Sequence, residues 1–555
     1  MIKAMNLFAS VMMACPFAYA QENPADDASK IQNTTSADKI TYYRIQNRWK
    51  SDQYIYDGGT DLKYGSGNDD SYLWCLEEKD GFKRIRNKST GEYANIKNGE
   101  AKVECTVTED TDRTAQWIVN TIDGTIKSLQ NRSNDKFLNI EKKLGYAGCD
   151  LDKEPNETNW FSSQWKLIYV SGPVPPPESI VKLQYMTYVN SPEYCSDIKG
   201  RTAIKFSAKG MTDAEATCWH QPTTENPDPW GYESKFAENI KLDAEGNGTI
   251  EFPADDFPYG PVTIKIRTWN EKKKDNCYLQ LYNKDGVIWN QGIPKESPAP
   301  AEDMKLIYVD DFDKPLSISK DGQGATYCSH KPGGGDFSAV PFTDFEAPNN
   351  PFSQVDSYMR IRCSKNTNST GLISSLRIDG TGFTANVPCY FECRMIGPTA
   401  PGSWPAFWLM TRSVFKGLKE PADELDTIEA YGGEGPKSPN QTGYWIATHY
   451  WNQGEEGKKQ KGIYQQIPMT KIGGKSSWYS TFHIYGTKIT MTDTIYYCDN
   501  IEVGRHPTGK LSKTEPWFFF VNLATGGGWP VNLKRYNNTV DMYVDYVRVY
   551  QGNKE

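Results

Sequence analysis

The segment PADELDTIEAYGG, residues 421–433, holds three carboxylates within one strand length: Glu424, Asp426 and Glu429. Side chains alternate along a strand, so Glu424 and Asp426 share a face. Strict alternation sends Glu429 to the other face. One extra residue in a β-bulge brings it back, and bulges recur beside active sites. Carboxylates crowded in this way repel one another, which raises at least one pKa. A carboxyl that keeps its proton near neutrality can serve as an acid, and an ionised neighbour can attack. Cleavage of a glycosidic bond uses that pair of roles, and carboxyls about 5 Å apart give retention through a covalent intermediate. Taken alone, an acidic triplet is more often the solvated face of a sheet.

The elements that must position these residues lie in residues 304–551, a strand-rich stretch broken by Gly, Asn and Pro turns. Its length suits one large antiparallel sandwich of the jelly-roll (concanavalin-like) type, with an open groove that fits a long polymer. Seven segments stand in order: IYVDDFD (307–313), CYFECRM (389–395), GSWPAFWLM (402–410), ELDTIEAYGG (424–433), STFHIYG (480–486), PWFFFVNLATGGGWP (516–530) and VDYVRVYQ (544–551). Together they resemble glycoside hydrolase family 16 in its bulged E-x-D-x-x-E form. The resemblance implies that Glu424 is the nucleophile and Glu429 the acid/base, with Asp426 holding and tuning the nucleophile. It implies that Trp404 and Trp408 line the subsite beside the cleaved bond, with core packing as the alternative for either. His449, in ATHYW, is expected to approach the sugar beyond the cleavage point, and His483 either does likewise or packs.

No cofactor or metal is expected in the chemistry. A structural calcium between the first and last strands occurs in the family, and Asp545 could supply one ligand. The bulged motif goes with β-1,3-glucans of the laminarin type and with galactans. The altered wording of the acidic strand, against Glu-Ile-Asp-Ile-Met-Glu, inclines the reading to galactan. A sulfated galactan would call for cations such as Arg394, Arg412, Lys416 and Lys419, of which Arg394 reads as structural.

Residues 41–170 contain a threefold repeat. YYRIQNRWKSDQYIYD, FKRIRNKSTGEYANI and TIKSLQNRSNDKFLNIE each place an Asn (Asn47, Asn87, Asn131) after an alternating strand, and a Trp (Trp74, Trp117, Trp165) follows each, at spacings of 40 to 48 residues. The period predicts a threefold β fold. With Gln116-Trp117 and Gln164-Trp165 it resembles a ricin-type β-trefoil, which implies carbohydrate binding somewhere on this unit. Core and turn fastening is the competing account of the Trp and Gln residues. Residues 179–294 alternate as short strands, such as Thr263–Arg267, and suggest an immunoglobulin-like β-sandwich with a spacer role. Trp219, His220, Trp230 and Trp269 are its candidates for binding. SGPVPPPES (171–179) and PKESPAPAEDM (294–304) read as Pro-rich spacers between the three pieces.

Residues 1–20 read as an export signal: Lys3, an apolar run at Leu7–Met13 and a small-x-small site at Ala18-Tyr19-Ala20. Residues 21–40 follow as a flexible polar leader. A secreted or extracytoplasmic monomer without a transmembrane segment is expected. The net charge of -8 offers no basic surplus for nucleic acid, while 16 Trp and 33 Tyr suit a polysaccharide partner. Of 12 cysteines, eleven lie past residue 20, without metal-type spacing; the odd number leaves at least one thiol outside any intrachain disulfide. The whole reads as an all-β secreted retaining endo-β-glycosidase. The rival is a non-catalytic carbohydrate-binding protein, a lectin that has kept its groove.

Overall fold

The computed structural model describes residues 40–97, 101–123, 126–156, 159–173, 182–220, 232–286, 294–331, 336–416, 420–433, 443–472 and 478–553. The export-signal and leader stretches, Trp230, Lys419 and most of the first Pro-rich spacer lie outside these residues. Strands are the main regular element of the described residues, with short 3-10 turns and one short α-helix at Gly454–Lys459. No described helix is long and apolar enough to cross a membrane.

The N-terminal repeat appears as a threefold pattern of fastenings. Asn47, Asn87 and Asn131 are fully buried. Each accepts from the turn after its strand, as Ser89 N to Asn87 Oδ1 at 2.8 Å and Ser133 N to Asn131 Oδ1 at 2.8 Å. Each also donates back to a neighbouring backbone carbonyl: Asn47 to Ser162, Asn87 to Ser71, Asn131 to Thr114. The three buried indoles do the same, Trp74 to Ile55 O, Trp117 to Ala94 O and Trp165 to Leu138 O, all within 2.9–3.0 Å. A ring of backbone bonds closes the unit: Leu62 N to Val103 O, Val103 N to Ala147 O, Ala147 N to Leu62 O. Gln116 and Gln164 accept from Arg132 and Arg48. These Asn, Gln and Trp side chains therefore fasten the fold, because a buried polar group must find its partner inside.

The middle unit pairs a three-stranded sheet (Tyr188–Ser191, Arg201–Ser207, Asn247–Pro253) with a five-stranded one built on Asp213–His220, Gly260–Trp269 and Lys274–Asn283. Its apolar residues, Ile204, Phe206, Ile264 and Leu279, belong to one hydrophobic cluster with Phe407, Leu425, Phe519 and Val547 of the C-terminal unit. It is no free spacer. Arg535, nearly buried, donates to Thr187 O at 2.8 Å and Asn276 O at 3.0 Å and pairs with Asp275. Arg362 donates to both oxygens of Asp541 at 2.8 Å and to Cys195 O at 3.2 Å. Trp219 packs between Tyr278 and Tyr479, and His220 bonds Ser234, so both are packing residues. The second Pro-rich stretch is also held: Pro300 and Ala301 are buried, and Arg548 donates to Pro294 O and Glu296 O.

The C-terminal unit is a jelly-roll sandwich of two eight-stranded sheets. One runs Phe352–Val355, Tyr358–Ser364, Thr539–Gln551, Cys389–Ile396, His483–Ile489, Asp493–Cys498, Ile501–Pro507, with Lys305–Asp310 beside the long closing strand. The other centres on Trp517–Thr525, Ser403–Thr411, Ala422–Glu429 and Gly443–Trp451. Phe407, Leu409, Leu425, Ile428, Phe519 and Val521 point between the sheets and are fully buried. All eleven described cysteines are buried, and no disulfide joins any two of them.

Candidate active site

The acidic strand Ala422–Glu429 lies between Ser403–Thr411 and Gly443–Trp451. Against the first neighbour, Phe407 pairs with Ile428 and Trp408 with Asp426, so Thr427 is the extra residue of a bulge. Against the second, Asp426 faces Ala447 and Glu429 faces Trp445, giving the same count. The bulge keeps Leu425 and Ile428 in the core while Glu424, Asp426 and Glu429 all stand on the outer face. Thr427 itself turns inward, where its hydroxyl meets that of Thr487 at 2.7 Å.

Around the carboxylates the outer face is aromatic. Trp404 Nε1 donates to Glu429 Oε1 at 3.0 Å, and the Tyr431 hydroxyl donates to the same oxygen at 3.2 Å. Trp404 and Tyr431 stack at 5.5 Å, and Trp529 follows Tyr431 at 6.4 Å. Gly527 sits beneath them at φ +59; a Cβ there would lie 2.7 Å from Tyr431 and 2.8 Å from Trp404, so only glycine permits this approach. Trp408 is buried, stacked 4.0 Å from Phe520, with Nε1 bonded to Asn522 Oδ1 at 2.8 Å. It is packed beside Asp426 as its cross-strand partner, while Trp404 stands half-buried against Glu429.

His449 lies opposite Glu424 on the adjoining strand. Its Nε2 is 3.3 Å from Asp426 Oδ2 and 4.0 Å from Glu424 Oε1, and its ring stacks on the exposed Trp451. The 3.3 Å approach lacks hydrogen-bond alignment, and Asp426 Oδ2 is a buried acceptor with no hydrogen-bond partner among the described residues. His483 is elsewhere: it sits in the other sheet, fully buried, with Nδ1 2.6 Å from Asp499 Oδ2, so it packs and does not reach the site.

All three carboxyls hold their protons more tightly than usual. Burial, then the neighbouring Asp426 charge, pushes Glu424 up to about 8, with His449 and Trp451 opposing. Burial and the Glu429 charge push Asp426 well above the carboxylate range. Burial raises Glu429, against the bonds from Tyr431 and Trp404 and the pull of His449. The result is a desolvated acid cluster that retains protons at neutral pH.

The cations considered for sulfated substrate do not gather here. Arg394 is buried, paired with Asp545 and stacked over Phe482. Arg412 is exposed beyond the strand end, and the Lys416 side chain and Lys419 fall outside the described residues. The same pairing removes Asp545 as a calcium ligand. Its fully buried carboxylate is already neutralised by Arg394, and a cation beside that guanidinium would be repelled. Tyr431, Trp451, Trp529 and Asn522 went unrecognised in the sequence. Tyr431 and Trp451 each stand two residues beyond a recognised site residue, which is the signal that alternation offers.

Crowded carboxyls on one face of a β-sandwich, walled by aromatic rings, form the kind of arrangement that cleavage of a glycosidic bond uses. Residues 348–548 match the model of Glycosyl hydrolases family 16. Over 208 residues it is 30% identical to Endo-1,3-1,4-beta-glycanase EglC of Rhizobium meliloti, covering 36% of this chain and 40% of the relative. To Endo-1,3-1,4-beta-glycanase ExsH of the same organism it is 28% identical, covering 29% and 30%. To the Beta-glucanase of Rhodothermus marinus it is 25% identical, covering 29% and 56%. The chain thus spans less than two thirds of each of these relatives.

Proposed function

We propose that the chain is an exported retaining endo-β-glycanase that cuts a β-linked polysaccharide by double displacement. The observation that carries this is the bulge at Thr427, which turns Glu424, Asp426 and Glu429 to one desolvated face. In this reading Asp426 keeps a proton, which relieves Glu424 of the charge that most opposes its ionisation after burial. Ionised Glu424 attacks the anomeric carbon. As the bond to the leaving oxygen breaks, Glu429 gives that oxygen its proton. Glu429 then takes a proton from water, whose oxygen attacks the same carbon and releases Glu424. Trp404 and Tyr431 position Glu429 through its Oε1, and Trp404, Trp451 and Trp529 offer faces for pyranose rings.

Relatives named as 1,3-1,4-β-glycanases and a β-glucanase favour a β-glucan backbone over the galactan to which the acidic strand inclined. The threefold N-terminal unit is read as a β-trefoil carbohydrate-binding module, and the middle unit as an immunoglobulin-like sandwich that braces the catalytic unit. The test is product release from laminarin, mixed-linkage glucan, agarose, porphyran and carrageenan by wild type and Glu424→Gln. Oligosaccharides from one polymer, absent with the variant, are expected. Binding without products from any polymer would establish the lectin reading instead.

A further inference from the structure

Where the threefold unit meets the sandwich, the two enclose a cavity of about 430 Å³. Arg48 and Lys166 line it from the first unit, and Lys365, Asn368 and Trp529 from the second. Three cationic side chains thus face one space. The Lys166 ammonium is half-buried there: burial lowers its pKa, Asp336 opposes, and the Lys365 charge lowers it further. Crowded like charges cost free energy that an anion would relieve. A separate feature points the same way. The Asn368 side chain is nearly buried, and its Nδ2 has no hydrogen-bond partner among the described residues. A buried N–H without an acceptor is costly, and an acceptor oxygen in the cavity would satisfy it.

The cavity also continues the active face. Glu429 bonds Trp404, Trp404 stacks on Tyr431, and Tyr431 leads to Trp529, which is 39% exposed and forms the cavity's wall. A polymer lying along these rings would deliver a further glycosyl unit into a space of ligand-pocket size.

We propose that this cavity is a distal subsite for a glycosyl unit carrying a negative charge, a sulfate ester or a carboxylate, on the polymer cut at the acidic strand. The proposal rests on the glycanase reading and narrows its substrate to an acidic polysaccharide. Both units build the subsite, so the N-terminal unit takes part in choosing what the catalytic unit cuts.

The test is affinity electrophoresis of the full chain, as Glu424→Gln to prevent cleavage, in gels of laminarin, laminarin sulfate, carboxymethyl-laminarin, agarose and carrageenan. Lys166→Gln with Lys365→Gln is expected to weaken retardation by a charged gel at least fivefold. Retardation by the uncharged gels should stay as it was. Lys272→Gln with Lys273→Gln makes the same change of net charge at exposed positions that do not line the cavity, and should change nothing. Which charged gel responds distinguishes sulfate from carboxylate. Equal migration of parent and double variant in every charged gel, whether retarded or not, overturns the proposal. So does an equal loss in the Lys272/Lys273 control. Failure of the glycanase reading is seen separately, as products released by Glu424→Gln as readily as by wild type.

Discussion

Trp404 Nε1 and Glu429 Oε1 are joined by a 3.0 Å hydrogen bond that opposes what burial does to the same carboxyl. Burial raises Glu429, and the indole N–H stabilises its ionised form. Trp404→Phe keeps an aromatic face and removes the donor, so Glu429 holds its proton to higher pH. The basic limb of the kcat profile, which marks loss of the acid's proton, should move to higher pH. Tyr431→Phe should shift it the same way. A uniform fall in kcat with an unmoved profile would show that Trp404 acts on sugar binding alone.

His449 acts on the opposite limb. Its charge lowers both Glu424 and Glu429, and in the proposed double displacement Glu424 attacks in its ionised form. His449→Gln withdraws that help, so Glu424 stays protonated to higher pH and the acidic limb of kcat/KM moves up. Activity at pH 6 should fall on the order of tenfold, equivalent to about 1.4 kcal/mol, and largely recover by pH 9. Equal losses at both pH values would sink the electrostatic account.

The raised Glu424 carboxyl also ties stability to pH. Its pKa is about 8 when folded, against 4.5 as the ordinary value. Between those values the folded chain binds the extra proton, so stability falls as pH rises through the window and is unaffected below it. Asp426 and Glu429, raised as well, act in the same sense. Glu424→Gln removes one contribution. Its Tm should match wild type near pH 4 and exceed it by about 2–4 °C at pH 8 to 9. Parallel melting curves across that range would contradict the direction given for Glu424.

The sequence made the acidic strand readable because strand alternation and one inserted residue leave few choices for Glu424, Asp426 and Glu429. The threefold repeat was readable for the same reason: Asn47, Asn87 and Asn131 do one job three times, and the chain repeats the words for it. Pairings between distant residues leave no such trace. Arg394 and Asp545 neutralise each other across 151 positions of chain, which is why Asp545 looked free to bind calcium. His483 and His449 both stand in aromatic strands, and only the sheet each belongs to tells them apart. Proline content suggested a semi-rigid, extended spacer at 294–304, yet Arg548 ties its carbonyls to the C-terminal unit. Docking of the middle unit depends on Arg535 and Arg362, whose partners lie between 167 and 348 residues away.

Thr427 allows the bulge itself to be tested. Its hydroxyl contacts Thr487 at 2.7 Å in the core. Thr427→Val keeps the extra residue and loses one hydrogen bond, at a cost of about 1 kcal/mol, with kcat/KM held within about threefold. Deleting Thr427 restores strict alternation and turns Glu429 toward the apolar core. That variant should lose activity by at least about 10³-fold and melt far earlier, since an unpaired buried carboxyl costs several kcal/mol. A deletion variant that keeps wild-type activity would show that the bulge does not place the acid.

Arg535 tests whether the middle unit braces the catalytic one. The guanidinium is 5% exposed, pairs with Asp275, and donates to the carbonyls of Thr187 and Asn276, so one side chain answers three acceptors of the other unit. Arg535→Met fills similar space and leaves the Asp275 carboxylate beside it without its main partner. Breaking such a buried pair costs about 3–5 kcal/mol. Arg535→Met with Asp275→Asn removes both charges and should recover part of that loss, because the penalty lies in the orphaned carboxylate more than in the missing attraction. Urea titration followed by Trp fluorescence reads both effects. If the two units fold as one body, the single variant should shift one cooperative transition to lower urea. If the middle unit were only a tether, it would split off a separate early transition and leave the catalytic unit's midpoint where it was.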